Sequence, residues 1–144
     1  MASLEPLQAY LMMVAFLDRL WERTRRPGDL ADLCGMCRYI PGHGSYDRAM
    51  WYDWLATVRQ FQTGVPVPEN GLQRGMLTAD MVHPLDPEQA YRVMLAFIEE
   101  YWRRVNCPDE LGRLLARMRY TPGAGSADPA MWPEFLATFK PGGA

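Results

Sequence analysis

Residues Leu85 to Arg119 read LDPEQAYRVMLAFIEEYWRRVNCPDELGRLLARMR, and residues Leu4 to Arg38 read LEPLQAYLMMVAFLDRLWERTRRPGDLADLCGMCR. The two stretches align without a gap at an offset of 81 residues. The same offset aligns IPGHGSYDRAMWYDWLATV, Ile40 to Val58, with TPGAGSADPAMWPEFLATF, Thr121 to Phe139. About half of the paired positions are identical, so the chain contains one structural unit twice.

Each copy predicts three helices. In the second copy Asp86 is a candidate N-cap, Pro87 suits the first turn, and Gln89 completes a capping box. Apolar residues then recur at helical spacing, first along a long helix and then along a shorter one. Asp47 and Asp128 are candidate N-caps of the third helices. In the second copy this helix should begin nearer Trp132, because Pro133 has no N–H to donate.

We therefore predict an all-α protein of about six helices. Two tandem three-helix repeats should pack with pseudo-two-fold symmetry into one compact unit, since each copy is near the lower size limit for folding alone. Residues 1–61 form the first repeat, 62–84 a linker, 85–139 the second repeat and 140–144 a disordered tail. The linker is predicted as loop except for a short helix at 78–82.

The first helices of the two repeats should form the central contact between them. The first copy is the more apolar one at this helix, since Leu11 stands where the second copy has Arg92. That difference predicts that the first helix of the first copy is buried on more sides.

Composition argues against several classes of partner. The net charge of -2 over 144 residues provides no attraction to nucleic acid or to an anionic membrane surface. The N-terminal sequence MASLEPLQAY lacks the basic region of a signal peptide, and the apolar run from Ala9 to Leu17 is too short to span a bilayer. We expect a cytoplasmic protein, monomeric because the duplication does covalently what a homodimer would do.

Cys34 and Cys37 form a CxxC pattern, which is typical of a redox pair or of half a zinc site. The equivalent residues of the second copy are Leu115 and Met118, which do neither chemistry. We therefore interpret the cysteines as core residues and expect no metal and no cofactor.

No set of side chains predicts catalysis. The chain has 2 histidines, and no Ser-His-Asp or Cys-His set can be assembled. The Gly-rich loop from Pro41 to Ser45 lacks the Lys-Ser/Thr pair of a phosphate-binding loop and is interpreted as a turn. The arginines near the end of the first helix are offset by neighbouring carboxylates. We expect a protein that is not an enzyme, with no catalytic residues.

Aromatic residues in the third helix and in the loop before it separate into two groups. Trp51 and Trp54 are aromatic in both copies and are predicted to lie in the core. Tyr46 and Tyr52 instead pair with Ala127 and Pro133, so the shared fold does not require them. Tyrosine is a typical anchor of protein interfaces, which makes these two the better candidates for a protein-binding surface.

The second copy carries the strings EQAY…M.AF.E.YW.R, DELG.LL..M and ADPAMW..FL between Glu88 and Leu136. In these strings the chain resembles the small, all-helical immunity proteins of contact-dependent growth inhibition, which are encoded beside polymorphic toxins in bacteria. The resemblance covers nearly all of each repeat and omits the linker. Members of that family carry one copy, whereas this chain carries a tandem duplication.

The resemblance implies that the protein binds and neutralises a cognate toxin domain in the cytoplasm by stoichiometric occlusion. Family members act without catalytic residues, so none carries over. We predict an interface at the loop and third-helix edge of the first copy, formed by Tyr46, Tyr52 and Asp53, with Glu134 at the matching edge of the second. Whether the first copy binds the toxin or only supports the second stays open.

Two alternatives belong to other classes. A helical adaptor or regulatory module would have the same fold and bind a protein other than a toxin. An enzyme or ligand-binding protein would show a polar cleft between the halves with perturbed carboxylates. The neighbouring reading frame distinguishes the first alternative, because an immunity protein should lie beside a large secreted protein with a toxin-like C-terminal domain.

Overall fold

Seven α-helices make up most of the part of the chain that the structure describes. A computed structural model describes residues 3–139, so the predicted tail at 140–144 lies outside the described residues. The helices are α1 (Pro6–Arg23), α2 (Gly28–Cys37), α3 (Arg48–Thr63), α4 (Gly71–Arg74), α5 (Pro87–Arg104), α6 (Asp109–Met118) and α7 (Met131–Leu136). The prediction of a mainly α-helical protein is confirmed.

Two short antiparallel hairpins join the second and third helices of each copy. The first pairs β1 (Tyr39–Ile40) with β2 (Gly44–Ser45), and the second pairs β3 (Tyr120–Thr121) with β4 (Gly125–Ser126). These segments were predicted as loops. Their glycines adopt positive φ, for example 81° at Gly42, which permits a tight turn that other residues resist.

Local capping explains where the helices begin. Asp86 and Gln89 form the predicted capping box at α5, and the Asp47 carboxylate accepts a hydrogen bond from the N–H of Ala49 at the start of α3. Asp128 makes the equivalent bond to Ala130, but α7 begins only at Met131. This late start confirms the effect predicted for Pro133, whose ring nitrogen cannot continue the ladder.

The linker is more ordered than predicted. α3 continues to Thr63, beyond the predicted end of the first repeat at residue 61. A 3-10 turn at Ala79–Met81 falls within the predicted short helix at 78–82. α4 was not predicted, and that part of the loop prediction is wrong. Asn70 caps α4 through two backbone N–H groups, and Arg74 fastens it to distant helices.

The core is shared between the two copies. Phe16 of α1 packs edge-on against Phe135 of α7, with ring centroids 5.9 Å apart. At the equivalent positions, Phe97 of α5 packs against Trp54 of α3 at 5.8 Å. α1 also contacts α5, but α3 contacts α5 more extensively, so the first helices do not form the main contact between the copies as predicted. Each copy therefore completes its hydrophobic core with aromatic residues of the other.

One residue on α1 departs from the prediction. Leu11 is 41% exposed, so the expectation that α1 is buried on more sides is wrong there. The equivalent Arg92 lies over the ring of Phe61 in the last turns of α3. α7 ends earlier than α3 relative to the repeat, at Leu136, so it does not extend over Leu11 as α3 extends over Arg92.

None of the helices in residues 3–139 combines the length and apolar character needed for a membrane span.

Candidate protein-binding surface

Tyr46 stands at the end of the first hairpin with 68% of its surface exposed. Its backbone N–H donates to the carbonyl of Arg38 over 2.7 Å, and the N–H of Ala127 donates to Arg119 over the same distance. The two copies thus place the backbone of this position in the same way. Only the first copy adds a large aromatic side chain to it, directed into solvent.

The hairpin is fixed to the start of α3. The Ser45 hydroxyl donates to the carbonyl of Asp47 over 2.6 Å and accepts from the N–H of Trp51 over 3.0 Å. The Asp47 side chain caps the same helix. Tyr46 lies between two residues held in this way, so its backbone is ordered before any partner arrives, which lowers the entropic cost of binding.

Tyr52 lies in the second turn of α3 and is half-buried. It lines a cleft of about 240 Å³ together with residues of α3, the linker and α5. The other lining residues are Ala49, Asp53, Glu69, Gly71, Arg74 and Arg104. The cleft is partly open to solvent and mainly apolar, with charged groups at its floor and rim, so a side chain of a protein partner can enter it.

Asp53 forms the polar floor of this cleft rather than part of an exposed edge. Only 5% of its surface is accessible, and its two carboxylate oxygens accept hydrogen bonds from Arg74 and Arg104, each over 2.8 Å. Asp53 was predicted as an interface residue because it was expected to be exposed, and that expectation is wrong. A carboxylate buried at this level is retained because both oxygens are paired with cations.

Arg74 is the residue that sequence reasoning missed. Its guanidinium donates to Asp53, to Glu100 over 2.7 Å, and to the backbone carbonyls of Val67 and Pro68. Burial lowers the pKa of Arg74, but hydrogen bonds to Asp53 and Glu100 outweigh it, so the net pKa is raised. Arg74 thereby fastens the linker to α3 and α5. The Asn70 cap was the only local signal of order here.

Glu134 occupies the position in the second copy that Asp53 occupies in the first. It pairs with Arg23 of α1 at 2.9 Å, and the two side chains keep 30% and 36% of their surface exposed. Glu134 is not among the residues that line the cleft beside Tyr52. The structure thus places Tyr52 and Asp53 at one site and Glu134 at another.

Large apolar side chains on the linker extend the surface beside the cleft. Leu72 follows the cleft residue Gly71 and is 79% exposed, and Met76 is nearly as accessible. Apolar side chains grouped in this way on a surface are typical of protein contact sites. Both residues lie within two positions of Arg74, whose guanidinium attaches this part of the linker to α3 and α5.

Cys34 and Cys37 belong to the hydrophobic core or pack against it, as the sequence predicts. Cys37 is fully buried, and Cys34 is half-buried against the same core. Burial raises the pKa of both thiols to about 12, so they stay protonated and weakly nucleophilic at neutral pH. Within residues 3–139, no three His, Cys, Asp or Glu side chains are grouped so that they could hold a metal ion.

Comparisons of the chain with protein-family models, with curated proteins and with solved structures gave no match.

Proposed function

We propose that this protein is an immunity protein, which binds a cognate toxin domain in the cytoplasm and neutralises it by occlusion. The observation that carries the proposal is Tyr46, an exposed aromatic residue on an ordered hairpin where the second copy has Ala127. A tyrosine in solvent contributes nothing to the core, so its place in the first copy favours a role in binding.

The surrounding surface supports stoichiometric binding without catalysis. Tyr46 and Leu72 are exposed and offer aromatic and apolar contact area, and Tyr52 and Arg104 line the cleft, where Arg104 contributes charge. Tyrosines bring a large contact area at a small entropic cost, since they have few rotatable bonds. Occlusion requires only that such a surface cover the toxin's site or its route to substrate.

The proposal includes a pseudo-two-fold arrangement of the two repeats in a monomer. It is supported by the mutual backbone hydrogen bonds of Leu4 and Leu85, which are equivalent positions, at 2.6 and 2.8 Å. A residue bonds its own counterpart in this way when it lies on a local two-fold axis. The internal duplication would then supply both of the symmetry-related repeats from one chain.

Co-expression tests the function directly. The toxin-like domain encoded beside this chain is induced in cells with and without the protein, and the protein is then used to capture the domain. Rescue of growth together with a 1:1 complex is the expected result. Toxicity without rescue or capture would contradict the immunity function and favour the helical adaptor, which binds another protein.

The hairpin offers a matched pair of variants for the same test. Tyr46→Ala and His43→Ala each introduce the residue that the second copy carries on the equivalent backbone, so both variants should fold. We expect Tyr46→Ala to weaken toxin binding by about tenfold or more, and His43→Ala to leave it unchanged. Equal binding by the two variants would remove Tyr46 from the interface.

A further inference from the structure

Two equivalent surfaces of the molecule carry opposite charge. On the first, Asp53 of α3 pairs with Arg104 of α5, and Glu100 lies one helical turn before Arg104. On the second, Glu134 of α7 pairs with Arg23 of α1. The residue one turn before Arg23 is Arg19, which replaces Glu100 at the same repeat position.

The linker completes the first surface. Asp53, Glu100 and Arg104 provide two carboxylates and one guanidinium, and Arg74 adds the second guanidinium between the carboxylates, at 2.8 and 2.7 Å. The result is a balanced ion-pair network that buries most of its groups. The linker segment around α4 therefore occupies the first surface because its charge complements the charge already there.

The second surface has an excess of positive charge. Arg19, Arg23 and Glu134 provide two guanidiniums and one carboxylate. Arg19 is exposed, and within residues 3–139 it has no carboxylate within 4.0 Å. Two nearby carboxylates are already engaged, since Glu22 pairs with Arg26 and Asp128 with Arg117. A carboxylate from outside would balance this surface as Arg74 balances the other.

We propose that the α1–α7 surface, defined by Arg19, Arg23 and Glu134, binds an extended segment of the partner protein that carries an acidic side chain. The carboxylate would take the place that the Arg74 guanidinium has on the α3–α5 surface. The proposal rests on the proposed function for the identity of the partner as a protein. The charge of the ligand is inferred from the comparison of the two surfaces.

A peptide cut from the linker tests the surface without any toxin. The probe is residues 66–78, PVPENGLQRGMLT, with Arg74→Glu, and the unchanged peptide is its control. Each is titrated to millimolar concentration into the full chain while the side-chain Nε–Hε NMR signals of Arg19 and Arg23 are followed. We expect the Glu peptide to bind about tenfold more tightly than the Arg peptide, since one pairs with Arg19 and the other repels it.

A charge reversal in the protein should reverse the preference. Arg19→Glu places at this position the charge that Glu100 has on the first surface, so the Arg peptide should become the tighter ligand. Arg113→Glu changes the net charge equally at an exposed position on α6 and should leave the preference as it was.

No binding of the Glu peptide at millimolar concentration, or equal binding of the two peptides, would overturn the proposal. An unchanged preference in Arg19→Glu would do the same. These outcomes are independent of the growth test. If the peptide preference holds while growth is not rescued, the immunity function fails and the acidic-segment surface stands.

Discussion

At the scale of single residues, Asp47 and Asp128 occupy equivalent positions but have different neighbours, so a comparison of the two shows how the neighbour affects the carboxylate. Asp47 and Asp128 cap α3 and the turn before α7 through the same backbone geometry. Asp128 also accepts a hydrogen bond from Arg117 over 2.7 Å, whereas the equivalent residue beside Asp47 is Met36. The hydrogen bond from Arg117, followed by that from the N–H of Ala130, lowers the pKa of Asp128.

This difference predicts a pH-dependent effect of Asp128→Asn. The pKa of Asp128 is lower in the folded state than in the unfolded chain, so its contribution to stability is present above the unfolded value of about 4. The contribution is lost as the pH falls through the folded pKa. Asn keeps the cap but not the ion pair, so the variant should be less stable than the parent at pH 7 and equal to it at the acid limit.

Urea unfolding of the parent and of Asp128→Asn across this pH range measures the effect. Asp47→Asn is the control, because it removes a carboxylate that has no arginine partner at the position of Arg117. A pH dependence of the same size in both variants would show that Arg117 is not its source.

At the scale of secondary-structure elements, the attachment of the linker depends on Arg74. α4 has only four residues, from Gly71 to Arg74, and a helix of that length is not stable by itself. Its place is set by the side chain of Arg74, which reaches Asp53 on α3 and Glu100 on α5. α4 is therefore stabilised by its contacts with the two long helices α3 and α5.

Arg74→Met should destabilise the protein by about 3 kcal/mol, because it leaves buried carboxylates with one cation fewer. Arg23→Met, which breaks the exposed pair with Glu134, should cost about 1 kcal/mol or less. Urea unfolding of the two variants gives the difference, and amide exchange of residues 66–77 reports whether the linker is released. Equal losses of stability would mean that the Arg74 network is no better shielded from water than the Arg23 pair.

At the scale of the whole molecule, the two copies depend on each other for their cores. Phe16 requires Phe135, and Phe97 requires Trp54, so each copy contributes one ring to each of two inter-copy contacts. Separating the copies would expose these rings together with the contact between α1 and α5. A unit of this size has little core of its own to compensate.

We therefore expect fragments 1–65 and 66–144 to be poorly helical when separate and to regain helicity as a 1:1 complex when mixed. Circular dichroism follows the helicity, and sedimentation gives the stoichiometry. The division falls in the exposed stretch after α3, so no helix is cut. A fragment that is fully helical and monomeric by itself would contradict the shared core.

Much of the fold was predictable because its causes are local. The capping box at Asp86, the cap at Asp47 and the delayed start of α7 before Pro133 depend on residues within one or two turns. Tyr46 was predictable as exposed because Ala127 shows that the fold does not need it. Order in the linker was not predictable, since Arg74 is held by helices far from it in sequence.

The sequence by itself determined the duplication, the helices and the turns, because spacing and capping act between near neighbours. Only the tertiary structure decided the different environments of Asp53 and Glu134. Both are acidic residues at the same repeat position, yet one is buried among two arginines and the other keeps 30% of its surface in solvent. Burial of a charge depends on what packs over it, and the linker covers only the first of the two sites.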